Sequence, residues 1–99
     1  MTKTADDYLR QASAEMADRA ASRDTPQGER SMGRAVAAFW AIYGDTILRR
    51  GYMTETDGWQ FMSVLKKARG SQGKYREDDY TDDVAYAALA AESAAREVA

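Results

Sequence analysis

The chain has 99 residues, which is enough for one small domain and is near the lower end of the sizes that fold alone. Its 14 basic and 16 acidic residues give a net charge of −2, too balanced for a general nucleic-acid coat protein and too weakly acidic for a whole-surface mimic of DNA. Because cysteine and histidine are both absent, the composition excludes disulfides, thiolate catalysis, cysteine-based zinc sites and the usual general base at neutral pH.

The first predicted helix covers residues 4 to about 22. Its weak apolar stripe consists of Tyr8, Leu9, Ala12, Met16 and Ala20. A stripe this narrow suits loose packing or contact with a second copy of the chain. Residues 23 to 30 include the only proline, Pro26, and a glycine, Gly28, so we predict a break before the next helix.

The second predicted helix runs from residue 29 to about residue 43. Large apolar side chains recur along it at three- and four-residue intervals: Met32, Val36, Phe39, Trp40 and Tyr43. We expect this face to be buried, with Phe39, Trp40 and Phe61 in the core. Gly44 is predicted to end the helix. Residues 46 to 53 would then form a linker that holds either a short helical turn or an extended apolar segment.

Two further helices are predicted to form a hairpin. Thr54 is the expected N-cap of the third, over residues 55 to about 69, because acidic residues fill its first turn and basic residues its last turn. Gly70 would end it, and Thr81 would cap a fourth helix rich in alanine. No segment alternates in the manner of a strand, so the predicted fold class is all-α: one domain, residues 1–99, with a small bundle of about four helices and residues 1–24 as a peripheral or oligomerising element.

The composition also predicts self-association and a soluble protein. Alanine supplies much of the apolar content, so few large side chains remain to form a core, and small domains of this kind gain stability from association. We therefore expect a homodimer or a higher oligomer. No apolar run approaches the roughly 20 residues of a membrane-spanning helix, and the first residues lack a signal core, so we expect an intracellular location.

Five carboxylates lie between residues 77 and 83. They fit either a Mg²⁺ site or an ordinary helix start. In the first interpretation Asp79, Asp82 and Asp83 hold the cation, because Mg²⁺ prefers oxygen ligands. In the second the carboxylates stabilise the positive end of the helix dipole on a solvated surface. We favour the second, and therefore expect no cofactor, with Mg²⁺ as the alternative.

A basic run surrounds the glycine-bracketed residues 70–73: Lys66, Lys67, Arg69, Lys74 and Arg76. Cations beside a glycine loop can hold phosphate groups. The spacing is not that of a P-loop, however, because Gly73 and Lys74 are followed by a tyrosine rather than by the serine or threonine of that motif. We favour a helix C-terminus balanced by lysines and paired with the acidic run that follows.

Tyrosines accompany these charges, and protein interfaces are enriched in tyrosine and arginine. We therefore expect a partner to contact the loop end of the hairpin, through Lys67, Arg69, Lys74, Tyr75, Arg76, Asp78, Asp79 and Tyr80. Stacking of the two tyrosines on bases would instead make this end a local binder of single-stranded nucleic acid. The near-neutral charge favours a protein partner.

Several short runs carry a resemblance: ERSM at residues 29–32, FWAIYG at 39–44, TETDGWQFM at 54–62, LK at 65–66, AR at 68–69, DDY at 78–80 and AYAALA at 85–90. In these runs residues 29–92 resemble an uncharacterised family of small tailed-phage proteins, a domain of unknown function. The resemblance implies a helical fold and a phage origin, but no activity. A phage origin favours a small accessory protein that binds and redirects a host or phage factor in the host cytoplasm, such as an inhibitor of host defence or an anti-CRISPR.

A second similarity concerns DYTDD at residues 79–83 and the VAY that follows. This segment is similar to one acidic element of the MazG-like all-α nucleotide pyrophosphohydrolases, in which two helices together hold Mg²⁺. The glutamate-rich first element of those enzymes has no counterpart in ERSMGR at residues 29–34. The similarity implies a competing hypothesis, a Mg²⁺-dependent protein that binds or hydrolyses nucleotides with Lys66, Lys67 or Lys74 on the phosphates. Our leading hypothesis is a binding protein without catalysis.

Overall fold

The computed structural model describes residues 2–23 and 31–99. These ranges contain four α-helices: α1 (Ala5–Arg23), α2 (Ser31–Arg50), α3 (Glu55–Gly70) and α4 (Glu77–Glu97). The predicted all-α class and the predicted hairpin of the last two helices are confirmed, and α3 packs most extensively against α4. The break predicted before the second helix, and its predicted start at Glu29, lie outside the described residues. Within the described ranges no helix combines the length and the apolar character needed to cross a membrane.

α3 begins where the sequence predicts, because Thr54 and Asp57 cap it reciprocally. The backbone N–H of Asp57 donates to Thr54 Oγ1 at 3.3 Å, and the backbone N–H of Thr54 donates to Asp57 Oδ2 at 2.9 Å. Arg50, the last residue of α2, donates to the same carboxylate oxygen at 2.7 Å. Asp57 is only 6% exposed, so this buried carboxylate ties the end of α2 to the start of α3.

α2 is longer than predicted. Both the expected end at Gly44 and the expected linker from residue 46 are wrong, since the helix continues to Arg50. Gly44 lies inside the helix beneath the ring of Trp40, where an added Cβ would be 2.7 Å from Trp40 Cε3. The glycine therefore makes room for an indole. The chain leaves the helix at Gly51, whose φ of 90° is easily adopted only by glycine.

α4 begins earlier than predicted, at Glu77, so the assignment of Thr81 as its N-cap is wrong. Thr81 lies inside the helix, and its hydroxyl donates to the carbonyl oxygen of Glu77 at 3.3 Å. The N-cap is Arg76, which makes no side-chain capping bond, while Asp78 and Asp79 share the first turn with Glu77. The acidic run is thus a helix start that the helix dipole stabilises without a side-chain cap.

The aromatic contacts of α2 and α3 form much of the small core. Phe39 is 2% exposed, as predicted, and meets the half-buried Phe61 edge to face with ring centroids 5.5 Å apart. The rest of the predicted buried face is wrong in part, because Met32, Val36 and Trp40 are 47%, 40% and 44% exposed. α2 instead buries the neighbouring ridge of Ser31, Ala35, Phe39 and Ile47. The small members of this ridge let another helix approach closely.

Polar side chains make several of the contacts between α3 and α4. The buried groups here include Ser63, Asp79 and Ser93. The Thr56 hydroxyl lies 2.7 Å from the Ser93 hydroxyl and donates to Glu97 Oε1 at 2.8 Å. One stacked aromatic pair, Trp59 and Tyr86, adds an apolar contact with ring centroids 6.0 Å apart. Hydrogen bonds therefore contribute to the hairpin together with the stacked aromatic pair.

Candidate partner-binding site

The connection between α3 and α4 is short and closely packed. It consists of residues 71–76, so residues 77–80, which the predicted cap at Thr81 leaves in the loop, are helical. A Cβ on Gly70 would lie 3.4 Å from Asp79 Cβ, which shows how closely the first turn of α4 approaches the end of α3. Ser71 Oγ donates to the Ala68 carbonyl at 2.8 Å, and Gly73 reverses the chain with a φ of 69°.

Two lysines of the basic run are paired with two carboxylates of the acidic run. Lys66 Nζ lies 2.9 Å from Asp82 Oδ2, and Lys67 Nζ lies 2.8 Å from Asp83 Oδ2. Ser63 completes the second pair, since its hydroxyl donates to Asp83 and accepts from Lys67 at 3.0 Å. The predicted pairing of the two runs is therefore confirmed.

Asp83 is stabilised as an anion by this network. Burial raises the pKa of Asp83, but the hydrogen bonds from Lys67 and Ser63 and the charge of Lys67 outweigh that effect and hold the pKa below its ordinary value. The Lys67 side chain is 64% exposed, so its ammonium group reaches solvent while it remains bonded to Asp83. A phosphate at this position would have to compete with that carboxylate.

The three carboxylates proposed as magnesium ligands are not brought together. Asp82 pairs with Lys66, Asp83 pairs with Lys67, and Asp79 is 2% exposed and lies against Gly70. Among the described residues no group of three or more acidic side chains has the geometry of a metal site. The described geometry therefore adds no support for Mg²⁺ at this position.

A cavity of about 200 Å³ opens between the end of α3 and the first turns of α4. Its lining residues are Lys66, Lys67, Gly70, Ser71, Asp79, Tyr80 and Asp83. Most small-molecule sites occupy about 300–1,000 Å³, so this cavity suits a small polar group better than a whole nucleotide. Two lysines and two aspartates line it, and their charges balance.

Tyr75 and Tyr80 form an exposed aromatic pair at this end of the hairpin. Tyr75 lies in the connection and is 75% exposed, whereas Tyr80, expected in the loop, lies in α4 and is 55% exposed. Their rings stack with centroids 5.7 Å apart and planes 26° apart. Offset stacking of this kind holds both rings in one arrangement while their outer surfaces stay in solvent.

The other predicted contact residues differ in accessibility. Lys67, Lys74 and Asp78 are exposed, Arg69 and Arg76 are half-buried, and Asp79 is buried. The accessible part of the predicted surface is thus the tyrosine pair with a mixed set of charges around it. We call Lys74, Tyr75, Arg76, Asp78 and Tyr80 the hairpin-end surface.

Ser63 is the residue of this region that the sequence analysis missed. It is 4% exposed and bonds to both Lys67 and Asp83. The signal was its spacing, because a residue four positions before Lys67 lies on the same helix face one turn away. The stacking of Tyr75 on Tyr80 had no comparable signal, since it depends on where α4 begins.

Comparison with known proteins identifies a family but no activity. A family model described as Domain of unknown function (DUF6378) matches residues 8–94. The matched region begins within α1 and extends through α2 and α3 into α4. No curated protein and no solved structure matches the chain. The contacts described above are therefore the basis for a functional proposal.

Proposed function

The chain belongs to the DUF6378 family, whose function is unknown, and we propose that it is a non-enzymatic module that binds a protein partner. The observation that carries the proposal is the exposed, stacked pair of Tyr75 and Tyr80. Tyrosines are enriched among the residues that dominate binding energy at interfaces. Rings that are already held in place lose less conformational freedom on binding, which favours affinity.

The charges around the pair also suit a protein partner. The hairpin-end surface includes both signs, with Lys74 and Arg76 opposed by Asp78, as in the polar rim of an interface. The nearby charges of Lys66 and Lys67 are already balanced by carboxylates. The net positive charge near the tyrosine pair is therefore too small to release many counterions from a nucleic-acid backbone.

We further propose that the partner is a host or phage protein and that the module acts in the host cytoplasm. The support is the resemblance of residues 29–92 to small tailed-phage proteins. Binding that redirects a host factor or inhibits a defence complex, including a CRISPR complex, needs an exposed contact surface and no catalytic group. The hairpin-end surface supplies such a contact.

The test is affinity capture from a host lysate with three chains. They are the wild type, the double variant Tyr75→Ala/Tyr80→Ala, and the control Tyr52→Ala, which removes a ring that is 63% exposed at the opposite end of α3. We expect the double variant to lose a captured protein that the control retains. Retention by the double variant, or equal loss in the control, would contradict the proposed surface.

Binding of a nucleotide with Mg²⁺ is a second candidate, supported by two lysines that line a cavity suited to a single phosphate group and by the similarity to MazG-like enzymes. In this candidate Lys66 and Lys67 move onto the phosphates, and Asp79, Asp82 and Asp83, which the structure does not bring together, would have to converge on the cation. A ligand at 100 times its Kd adds about 2.7 kcal/mol to the free energy of unfolding, which raises the Tm of a small domain by about 10 °C or more. A thermal-shift series of nucleotides with and without Mg²⁺ tests it, and no shift with any of them rejects it.

A further inference from the structure

The first helix has an apolar stripe that the described part of the chain leaves exposed. Tyr8, Leu9 and Met16 are 59%, 69% and 54% exposed, and with Ala12 they follow the spacing of one helix face. α1 has 19 residues. Helices in folded proteins gain most of their stability from the packing of an apolar face rather than from intrinsic propensity. We therefore expect the stripe to pack against another apolar surface.

A groove between α2 and α3 matches this stripe in length and shape. It has a volume of about 460 Å³, and its lining includes Arg34, Ala38, Ile42, Val64, Lys67 and Ala68. The three α2 residues recur at four-residue intervals, as Tyr8, Ala12 and Met16 do in α1, so both features extend over about 12 Å. Alanines in the lining let a helix backbone approach closely, as ridge-into-groove packing requires.

The charged residues that line the groove and the net charge of α1 have opposite signs. Both charged residues that line it, Arg34 and Lys67, are basic, and Lys67 is also bonded to Asp83, which lies outside the lining. α1 carries four carboxylates, all between residues 6 and 18, and three arginines, so its net charge is −1. Opposite charges around an apolar contact favour association and fix its orientation.

We propose that α1 of one copy packs into the α2–α3 groove of a second copy, and that the reciprocal contact forms a homodimer. A single copy leaves both the stripe and the groove open, so α1 does not cover the groove of its own chain. Reciprocal exchange of one element gives a closed twofold dimer. The interface contains neither Tyr75 nor Tyr80, so it stands independently of the proposed function.

The area available fits a dimer of ordinary size. Stable interfaces bury about 1,200–2,000 Å² in total, which is about 300–500 Å² for each of the four surfaces in two reciprocal contacts. A buried aromatic side chain alone supplies about 150–250 Å². A stripe with one tyrosine, one leucine and one methionine is of the size required.

Sedimentation of the full chain over a range of concentrations tests the proposal. We expect the wild type to dimerise and Leu9→Glu/Met16→Glu to raise the dimer Kd at least 100-fold, with α-helical circular dichroism retained because both side chains are exposed in the single copy. Ala38→Glu, on the groove, should weaken the dimer in the same way. Val84→Glu, which is 70% exposed on α4, is the control and should leave the dimer intact. A monomeric wild type, or a dimer unaffected by the stripe variant, would overturn the proposal.

Cross-linking identifies which copy supplies the helix. The chain has no cysteine, so Met16→Cys/Ala38→Cys introduces two unique thiols. With a short bis-maleimide reagent, contact between copies gives a covalent dimer on a denaturing gel. An internal cross-link in a monomer, or the absence of any cross-link, would rule out a second copy as the occupant of the groove.

Discussion

Against α2, α3 contributes Phe61 to a ring contact with the buried Phe39; against α4, it contributes Ser63, Lys66 and Lys67 to hydrogen bonds and ion pairs. Apolar contacts are non-directional and stabilise in proportion to the area buried. Hydrogen bonds need particular partners at particular distances, and a buried partner left without its bond costs free energy. The two sides of α3 therefore respond differently to substitution and to pH.

The largest effect is expected on the aromatic side. Phe39→Ala should lower the free energy of unfolding by about 3–5 kcal/mol, because it removes a buried ring and leaves a cavity. Leu48→Ala is the matched control on the same helix; Leu48 is 73% exposed, so its loss should stay within about 0.5 kcal/mol. Urea denaturation measures both. Equal losses would show that Phe39 is not a core residue.

On the α3–α4 side each substitution should cost less free energy of unfolding, and the cost should depend on which bonding partner is lost. Asp83→Ala removes the acceptor of Ser63 and Lys67 and should cost about 1–3 kcal/mol, because Ser63 is buried and loses its partner. The control is Asp78→Ala, an exposed carboxylate in the first turn of the same helix, with an expected cost of about 0.3–1 kcal/mol. If the control cost as much as Asp83→Ala, the dipole alone would explain the acidic run.

A change of pH should act on the α3–α4 contact through Asp83 and Glu97, and on the junction of α2 and α3 through Asp57. The pKa values of Asp57, Asp83 and Glu97 all lie below their ordinary values in the folded protein. Lowered carboxylate pKa values add stability that is complete above the unfolded value of about 4 and is lost as the pH falls through the folded value. We therefore expect the free energy of unfolding to decline below about pH 4, and to decline less in Asp83→Asn. An unchanged decline in that variant would exclude Asp83 as a contributor.

The smallest effect is expected at the end of the hairpin that lies away from the connection between α3 and α4. Arg96 and Glu55 approach to 3.4 Å, and their side chains are 65% and 62% exposed. Exposed ion pairs of this kind contribute about 0–1 kcal/mol and are screened by salt. Arg96→Ala should therefore barely change the urea midpoint. A large loss would mean that this end is less solvated than its exposure indicates.

The same comparison explains which parts of the fold could be predicted. The cap of α3 follows from Thr54 and Asp57, two residues that act locally, so the sequence locates it well. The prediction that Gly44 ends α2 was wrong because it used only the preference of glycine for helix ends. Gly44 is instead inside the helix, where it leaves space for the ring of Trp40. The early start of α4 was not predicted because Thr81 was expected to be its N-cap. The helix instead begins at Glu77 without a side-chain cap, and the acidic residues of its first turn interact favourably with the helix dipole.

The candidate site could be predicted only in part for a related reason. The charge pairs of the hairpin were predictable, because a basic helix end followed at once by an acidic helix start brings opposite charges together. The tyrosine pair was predictable as exposed but not as stacked, because Tyr80 was placed in a loop. The loose packing of α1 was predictable from its narrow stripe, whereas the α2–α3 groove depends on how two separate helices pack.

The central claim is that the hairpin-end surface binds a protein through Tyr75 and Tyr80, and the affinity of the captured partner tests it most directly. Calorimetric titration of that purified partner should give a Kd at least about 30-fold higher for Tyr75→Ala/Tyr80→Ala than for the wild type, because residues that dominate an interface each contribute about 2 kcal/mol or more. Tyr52→Ala should bind as the wild type does. Equal Kd values for all three chains would contradict the claim.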